Sequence, residues 1–174
     1  MSLLVKPLTV LGWASGAVIL DLVTKHLALS GLKFTEVYQL TSFFNLVLVF
    51  NQGAACSLFS GAGPYQGLKM IILTMLALIP LMWFYLKAKE SDRLFLMALG
   101  LIFGGAAGNV VDRARYKAVV DFLDFHVGQY HWPAFNLADV WICLGAGLMI
   151  WSIIRSGHRK DELQSERTDL SKRR

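Results

Sequence analysis

Residues 67–111 read GLKMIILTMLALIPLMWFYL, then KAKESDR, then LFLMALGLIFGGAAGNVV. A helix needs about 20 apolar residues to cross the hydrocarbon core of a bilayer, and the two flanking runs, 67–86 and 94–111, approach that length. The short polar loop at 87–93 permits only an antiparallel hairpin between them. Outward from this hairpin lie two more apolar stretches, 8–29 and 135–154. The sequence therefore predicts four transmembrane helices at about 8–29, 67–86, 94–111 and 135–154, running up, down, up, down.

Composition agrees with that reading. In 174 residues, 55% are hydrophobic, 17% are charged and the mean hydropathy is +0.50, a balance that fits an ordinary soluble domain poorly. The length allows one domain, over 1–156, and no large module outside the membrane. Residues 157–174 read as a polar tail expected to be disordered. The first span is expected to be retained, because Asp21 and Lys25 interrupt it where a signal peptide would carry a small-residue cleavage site. Of the 17 Lys and Arg, 11 lie before the first span, in the 87–93 loop or after Ile154. The positive-inside rule then puts both termini in the cytoplasm. The net charge of +5 follows from topology, and no nucleic-acid partner is expected. Cys56 and Cys143 are far apart with no CxxC, which supports neither a disulfide framework nor a zinc knuckle.

The two outer segments differ from the inner loop. Residues 33–50 are rich in β-branched and aromatic residues with some alternation, which reads as short strands at the membrane surface. Phe43, Phe44, Tyr130, Trp132 and Phe135 suit the interface. Ionisable residues within a span cost about 2.5–3.5 kcal/mol on insertion scales, so each needs a partner or a task. Asp21 and Lys25 stand at i and i+4 near the outer end of span one, a spacing that suits an ion pair as well as a site. Asn109, Asp112 and Arg113 close span three, where Arg113 can also be read as snorkelling to the interface. Asn136 and Asp139 open span four after Pro133, in the pattern of an N-cap with an acidic third helical residue. Asp121 and Asp124 sit in the apolar run 119–126.

Spans one and three end where span four begins, so Asp21, Asp112, Asp121, Asp124 and Asp139 should converge on one side. Two carboxylates held close share one proton, and such a pair activates a water and protonates a leaving amine. That is peptide hydrolysis without a metal. A rival site of Asp121, Asp124, His126 and His131 matches no standard metal-ligand spacing. Neither HExxH nor a nucleophilic Ser or Cys with a recognised base is present, and no metal or cofactor is expected. Other classes are a small transporter or proton-coupled carrier using intramembrane Asp residues, and a structural scaffold. Against transport, the acids gather at one face and no inverted repeat is visible. Gly100, Gly104 and Gly108 form a small-residue stripe for close helix packing.

Five motifs occur in order: Asp21-Leu-Val-Thr-Lys25, Asn51-Gln-Gly53-Ala-Ala, Gly108-Asn109-Val-Val-Asp112-Arg113, Val119-Val-Asp121-Phe and Phe135-Asn136-Leu-Ala-Asp139. Together they closely resemble the lipoprotein signal peptidase, or signal peptidase II, family of bacterial inner membranes, over roughly Leu11 to Trp151. The resemblance implies an all-α membrane protein of four transmembrane helices with a small extracytoplasmic β cradle, here at about 33–60. It implies an aspartic endopeptidase that cleaves prolipoproteins before a diacylglyceryl-modified cysteine, with membrane lipid and globomycin-type inhibitors as further partners. Matched residue by residue, Asp121 and Asp139 would be the catalytic dyad. Asn51, Gly53, Asn109, Asp112, Arg113 and Asn136 would support the dyad or bind substrate, with Asp21 and Lys25 near the site. The residues alone leave Asp121 and Asp124 as alternatives; the family motif selects Asp121. One departure is Cys56, where the family commonly has Phe. Gly53-Ala-Ala-Cys56 also mimics a lipobox, but it follows span one instead of ending an N-terminal signal.

Overall fold

A computed structural model describes residues 4–53 and 65–172, with side-chain environments as far as Gly157. Ala54, Ala55 and Cys56, and with them the end of the expected cradle, lie outside the described residues. The described chain forms α1 (Val5–Gly31), β1 (Tyr38–Gln39), β2 (Phe44–Asn51), α2 (Gln66–Lys87), α3 (Arg93–Tyr116), β3 (Val119–Val127), β4 (Tyr130–His131) and α4 (Leu137–Lys172). Each of the four helices contains a stretch long and apolar enough to cross a membrane, which in α4 ends at Gly157.

α3 is the centre of the bundle. It packs on α1, α2 and α4, and its small residues let it do so. A Cβ on Gly100 would meet Trp13 Cβ at 2.7 Å, and one on Gly104 would meet Ala17 Cβ at 2.7 Å, so this stripe faces α1. The opposite side of α3 meets α4, where Gly145 brings the helices close: a Cβ there would lie 2.7 Å from the Ala98 carbonyl oxygen. The stripe is therefore a packing device, as its four-residue repeat suggests. α2 buries only Gln66 and Gly67, and its apolar surface is left for lipid.

The strands form one sheet in the order β1-β2-β3-β4, antiparallel throughout. The sequence locates strands only in the first outer segment. β3 and β4 belong to the second, because Val-Val-x-Phe-Leu-x-Phe-x-Val supplies the β-branched and aromatic surface that a half-buried strand needs. Between β2 and β3 the pairing Leu46 with Leu123 changes to Val49 with Asp121. β2 thus carries one extra residue, a β-bulge, which reverses the face its later side chains present.

Two helix ends differ from expectation. α3 runs past Val111 to Tyr116, since Asp112, Arg113 and Arg115 are polar without being helix breakers, and it stops where Lys117 takes a left-handed turn at φ 62°. α4 continues through the tail to Lys172. The tail is polar as expected but helical, because no Gly or Pro follows Gly157 and Lys, Glu, Leu, Gln and Arg are good helix formers.

Candidate active site

Asp121 lies on β3 and is fully buried. Leu123 pairs with Phe135 in an isolated bridge, which brings the start of α4 beside the strand. Asn136 Nδ2 accordingly donates to Asp121 Oδ1 at 2.7 Å. The other oxygen is served by β2: Asn51 Nδ2 donates to Asp121 Oδ2 at 2.8 Å. Gly53 fixes that amide, since its N–H donates to Asn51 Oδ1 at 2.8 Å. The resulting Asx turn uses φ 95° at Gly53, a conformation in which glycine is free of the Cβ penalty. Burial pushes the Asp121 carboxyl up to about 6, against the lowering effect of the Asn51 and Asn136 amides.

Asp139 is held in a matching way. Asn109 Nδ2 donates to Asp139 Oδ1 at 2.8 Å, and the Asn136 N–H donates to Oδ2 at 3.3 Å. In return the Asp139 N–H donates to Asn136 Oδ1 at 3.1 Å. This is a reciprocal capping box at the start of α4. The capping expected from the sequence and a place in the site therefore coexist. Asn136 Nδ2 also reaches Asn109 Oδ1 at 3.3 Å, so the path Asp121, Asn136, Asn109, Asp139 is continuous.

Beneath this pair lies a buried charge cluster. Lys25 Nζ stands 2.8 Å from Asp21 Oδ2, 2.9 Å from Asp112 Oδ2 and 3.1 Å from Asn109 Oδ1. An ammonium only donates, so Lys25 sets the Asn109 amide with its oxygen inward and its NH2 toward Asp139. The two acids each pin the segment that carries Asp139 or Asp121. Asp21 Oδ1 accepts the Ala138 N–H at 2.8 Å, and Asp112 Oδ2 accepts the Val120 N–H at 3.0 Å. A Cβ on Gly108 would strike the Asp21 carboxylate, so this last glycine of the stripe makes room for the cluster. Arg113 is half-buried in the field of Asp139, Asp121 and Asp112. Its guanidinium makes one long contact of 3.5 Å to the Asn109 carbonyl and forms no ion pair among the described residues.

Four of the five expected carboxylates thus meet. Asp124 does not, because three residues along a strand reverse the side-chain direction. It accepts from Asn45 Nδ2 at 2.8 Å and from His131 Nδ1 at 2.9 Å. Burial acts to raise its carboxyl, but the hydrogen bonds from Asn45 and His131 outweigh this and hold it below the usual range. The metal set Asp121, Asp124, His126 and His131 is split across the sheet. Sequence reading missed Asn45 in this pairing. Asn51 lies six positions further on, which would put both on one face of a regular strand; the bulge sends each to a different acid.

Fold and site define a class: a polytopic membrane protein with a buried, amide-linked carboxylate pair where its sheet meets the end of its helix bundle. The family described as signal peptidase (SPase) II matches residues 13–155, and the chain belongs to that family, whose members are proteases. The chain is 47% identical over 150 residues to a lipoprotein signal peptidase of Azoarcus sp. (strain BH72), covering 85% of this chain and 84% of the relative. A lipoprotein signal peptidase of Ralstonia nicotianae is 46% identical over 142 residues, 82% of each chain. A solved structure described as a bacterial membrane enzyme, determined in meso at 2.3 Å, superposes with a TM-score of 0.74 at 31% identity, over 87% of this chain and 91% of that one.

The Asn51 contact has a measurable consequence. Its N–H stabilises ionised Asp121, so Asn51→Ala removes a lowering influence and the protonated form gains. If Asp121 takes part in catalysis, the limb of the pH–activity profile that follows its carboxyl, which burial pushes up to about 6, is expected to move to higher pH in the variant. A pH profile of cleavage by the variant checks this; an unmoved limb, or one displaced to lower pH, rejects the assignment.

Proposed function

We propose that the chain removes signal peptides from diacylglyceryl-modified prolipoproteins, cutting before the lipid-modified cysteine by water activated between Asp121 and Asp139. The observation that carries this reading is the amide chain joining the two carboxylates, in which every carboxylate oxygen receives one N–H. One donor per oxygen leaves lone pairs for a water and for a shared proton. One aspartate, ionised, takes a proton from the water as its oxygen attacks the scissile carbonyl carbon. The other, protonated, donates to the developing oxyanion, and a proton then passes to the leaving amine as the C–N bond breaks. No covalent intermediate forms. Arg113, with donors to spare, is suited to hold a substrate carbonyl.

In this reading both termini face the cytoplasm, and the dyad acts near the outer face of the inner membrane. There the substrate's lipid stays in the leaflet while its signal helix lies against the bundle. The peptidase occupies about 1–156, and globomycin-type inhibitors compete for the same site. The test is cleavage by the purified full chain in detergent, using one prolipoprotein with and without its diacylglyceryl group, each with and without EDTA. Cleavage is expected only of the modified precursor, and EDTA is expected to leave the rate unchanged. Equal cutting of both precursors sinks the lipid requirement, and loss of activity in EDTA sinks the metal-free dyad.

A further inference from the structure

At the end of the bundle away from the acid pair, α1 and α2 both pack on α3 but scarcely touch each other. The gap is a cavity of about 310 Å³, walled by Val10, Leu11 and Ala14 of α1 and Met82 and Tyr85 of α2, with Phe103 of α3 as its floor. Its lining is almost wholly apolar. One cation stands at its mouth: Lys6 Nζ lies 4.6 Å from the centroid of the Tyr85 ring and donates to the Leu86 carbonyl at 3.2 Å.

Lys6 is in the first turn of α1, which holds no acid, so its charge opposes that helix's dipole. The Tyr85 face and the carbonyl at the end of α2 offset this. Of its three N–H donors, one is used by Leu86. Lys87 and Lys89, both exposed, lie in the 87–93 loop that follows Leu86; with Arg93 they outnumber its two acids, Glu90 and Asp92, and leave that end net positive.

We propose that this groove binds an anionic phospholipid of the adjoining leaflet, with one acyl chain between α1 and α2 and the headgroup phosphate on Lys6. The volume suits a hydrocarbon chain and is too small for another helix. An apolar gap facing a bilayer is filled by hydrocarbon, and the cation at its rim selects a negative headgroup.

The test reconstitutes the full chain in mixed phosphatidylglycerol and phosphatidylcholine with identical acyl chains, then counts retained lipids by native mass spectrometry. Wild type is expected to retain phosphatidylglycerol in preference. Lys6→Met should reduce that preference about fivefold, the factor one Lys supplies at a charged membrane surface, while Lys6→Arg keeps it. Met82→Trp, which fills the groove, should lower retention of both lipids. Equal retention by the wild type overturns the proposal, as does a Met82→Trp variant that holds lipid as before. If Lys6 only caps α2, Lys6→Met lowers melting equally in either lipid and leaves the preference intact, which also overturns it.

Discussion

Asp139→Asn and Asp121→Asn are each expected to slow prolipoprotein cleavage by at least about a thousandfold, within the range that removal of a positioned acid or base produces. Asn has nearly the shape of Asp but cannot exchange the proton that the proposed mechanism requires. It also turns an NH2 toward a group that already donates: at position 121 toward Asn51 or Asn136, at position 139 toward Asn109 or the Asn136 N–H. That local conflict costs about 1–3 kcal/mol, too little by itself to unfold a typical domain. The control is Asp124→Asn, which perturbs the opposite face of β3 and should leave the rate within a few-fold. The double variant of Asp121 and Asp139 should be no slower than either single one, since members of one catalytic unit are not additive. Rates of cleavage by the four purified variants decide the matter. A loss at Asp124 equal to that at Asp121, or near-normal activity in Asp139→Asn, ends the dyad assignment.

That control turns on a distinction the residues alone could not make. Asp121 and Asp124 share a face if 119–126 is helical and oppose each other if it is a strand. The run's short length and apolar character fit both, as short apolar runs do. The spans were legible because hydropathy over some 20 residues is a strong signal, and the convergence of Asp21, Asn109 and Asp112 with Asp139 followed from counting helix directions. Span ends were less legible. Hydropathy falls at Asp112, yet α3 carries Asp112 and Arg113 onward, because polar side chains end a membrane stretch without ending a helix. The β2 bulge was invisible, since nothing in Asn45-Leu-Val-Leu-Val-Phe-Asn51 marks an extra residue; only pairing with β3 reveals it. The supporting asparagines could be named from family motifs, but which amide meets which oxygen depends on Lys25 and Gly53 as orienting groups, and that is a property of the folded site.

The orienting role of Lys25 leads to the second large effect. Lys25→Met leaves Asp21 and Asp112 facing each other without their cation, and breaking one side of a buried ion pair costs about 3–5 kcal/mol, a large part of the 5–15 kcal/mol typical of a domain. Melting in detergent should fall markedly, and cleavage should drop by at least about a hundredfold, on the scale of a general acid–base contribution. Two causes are entangled in that loss, charge imbalance and the freed Asn109 amide. A triple variant, Lys25→Met with Asp21→Asn and Asp112→Asn, separates them. Its asparagine oxygens can still accept the Ala138 and Val120 N–H groups, and the uncompensated charge is gone, so melting should recover. Asn109 would still lack the ammonium that turns its oxygen inward, so Asp139 would still lose its fixed donor and cleavage should stay low. Recovery of both melting and cleavage would reduce Lys25 to a counter-ion. Recovery of melting alone would make it the group that aims Asn109 at Asp139, 84 residues along the chain from its partner, and would explain a lysine where the membrane makes one costly.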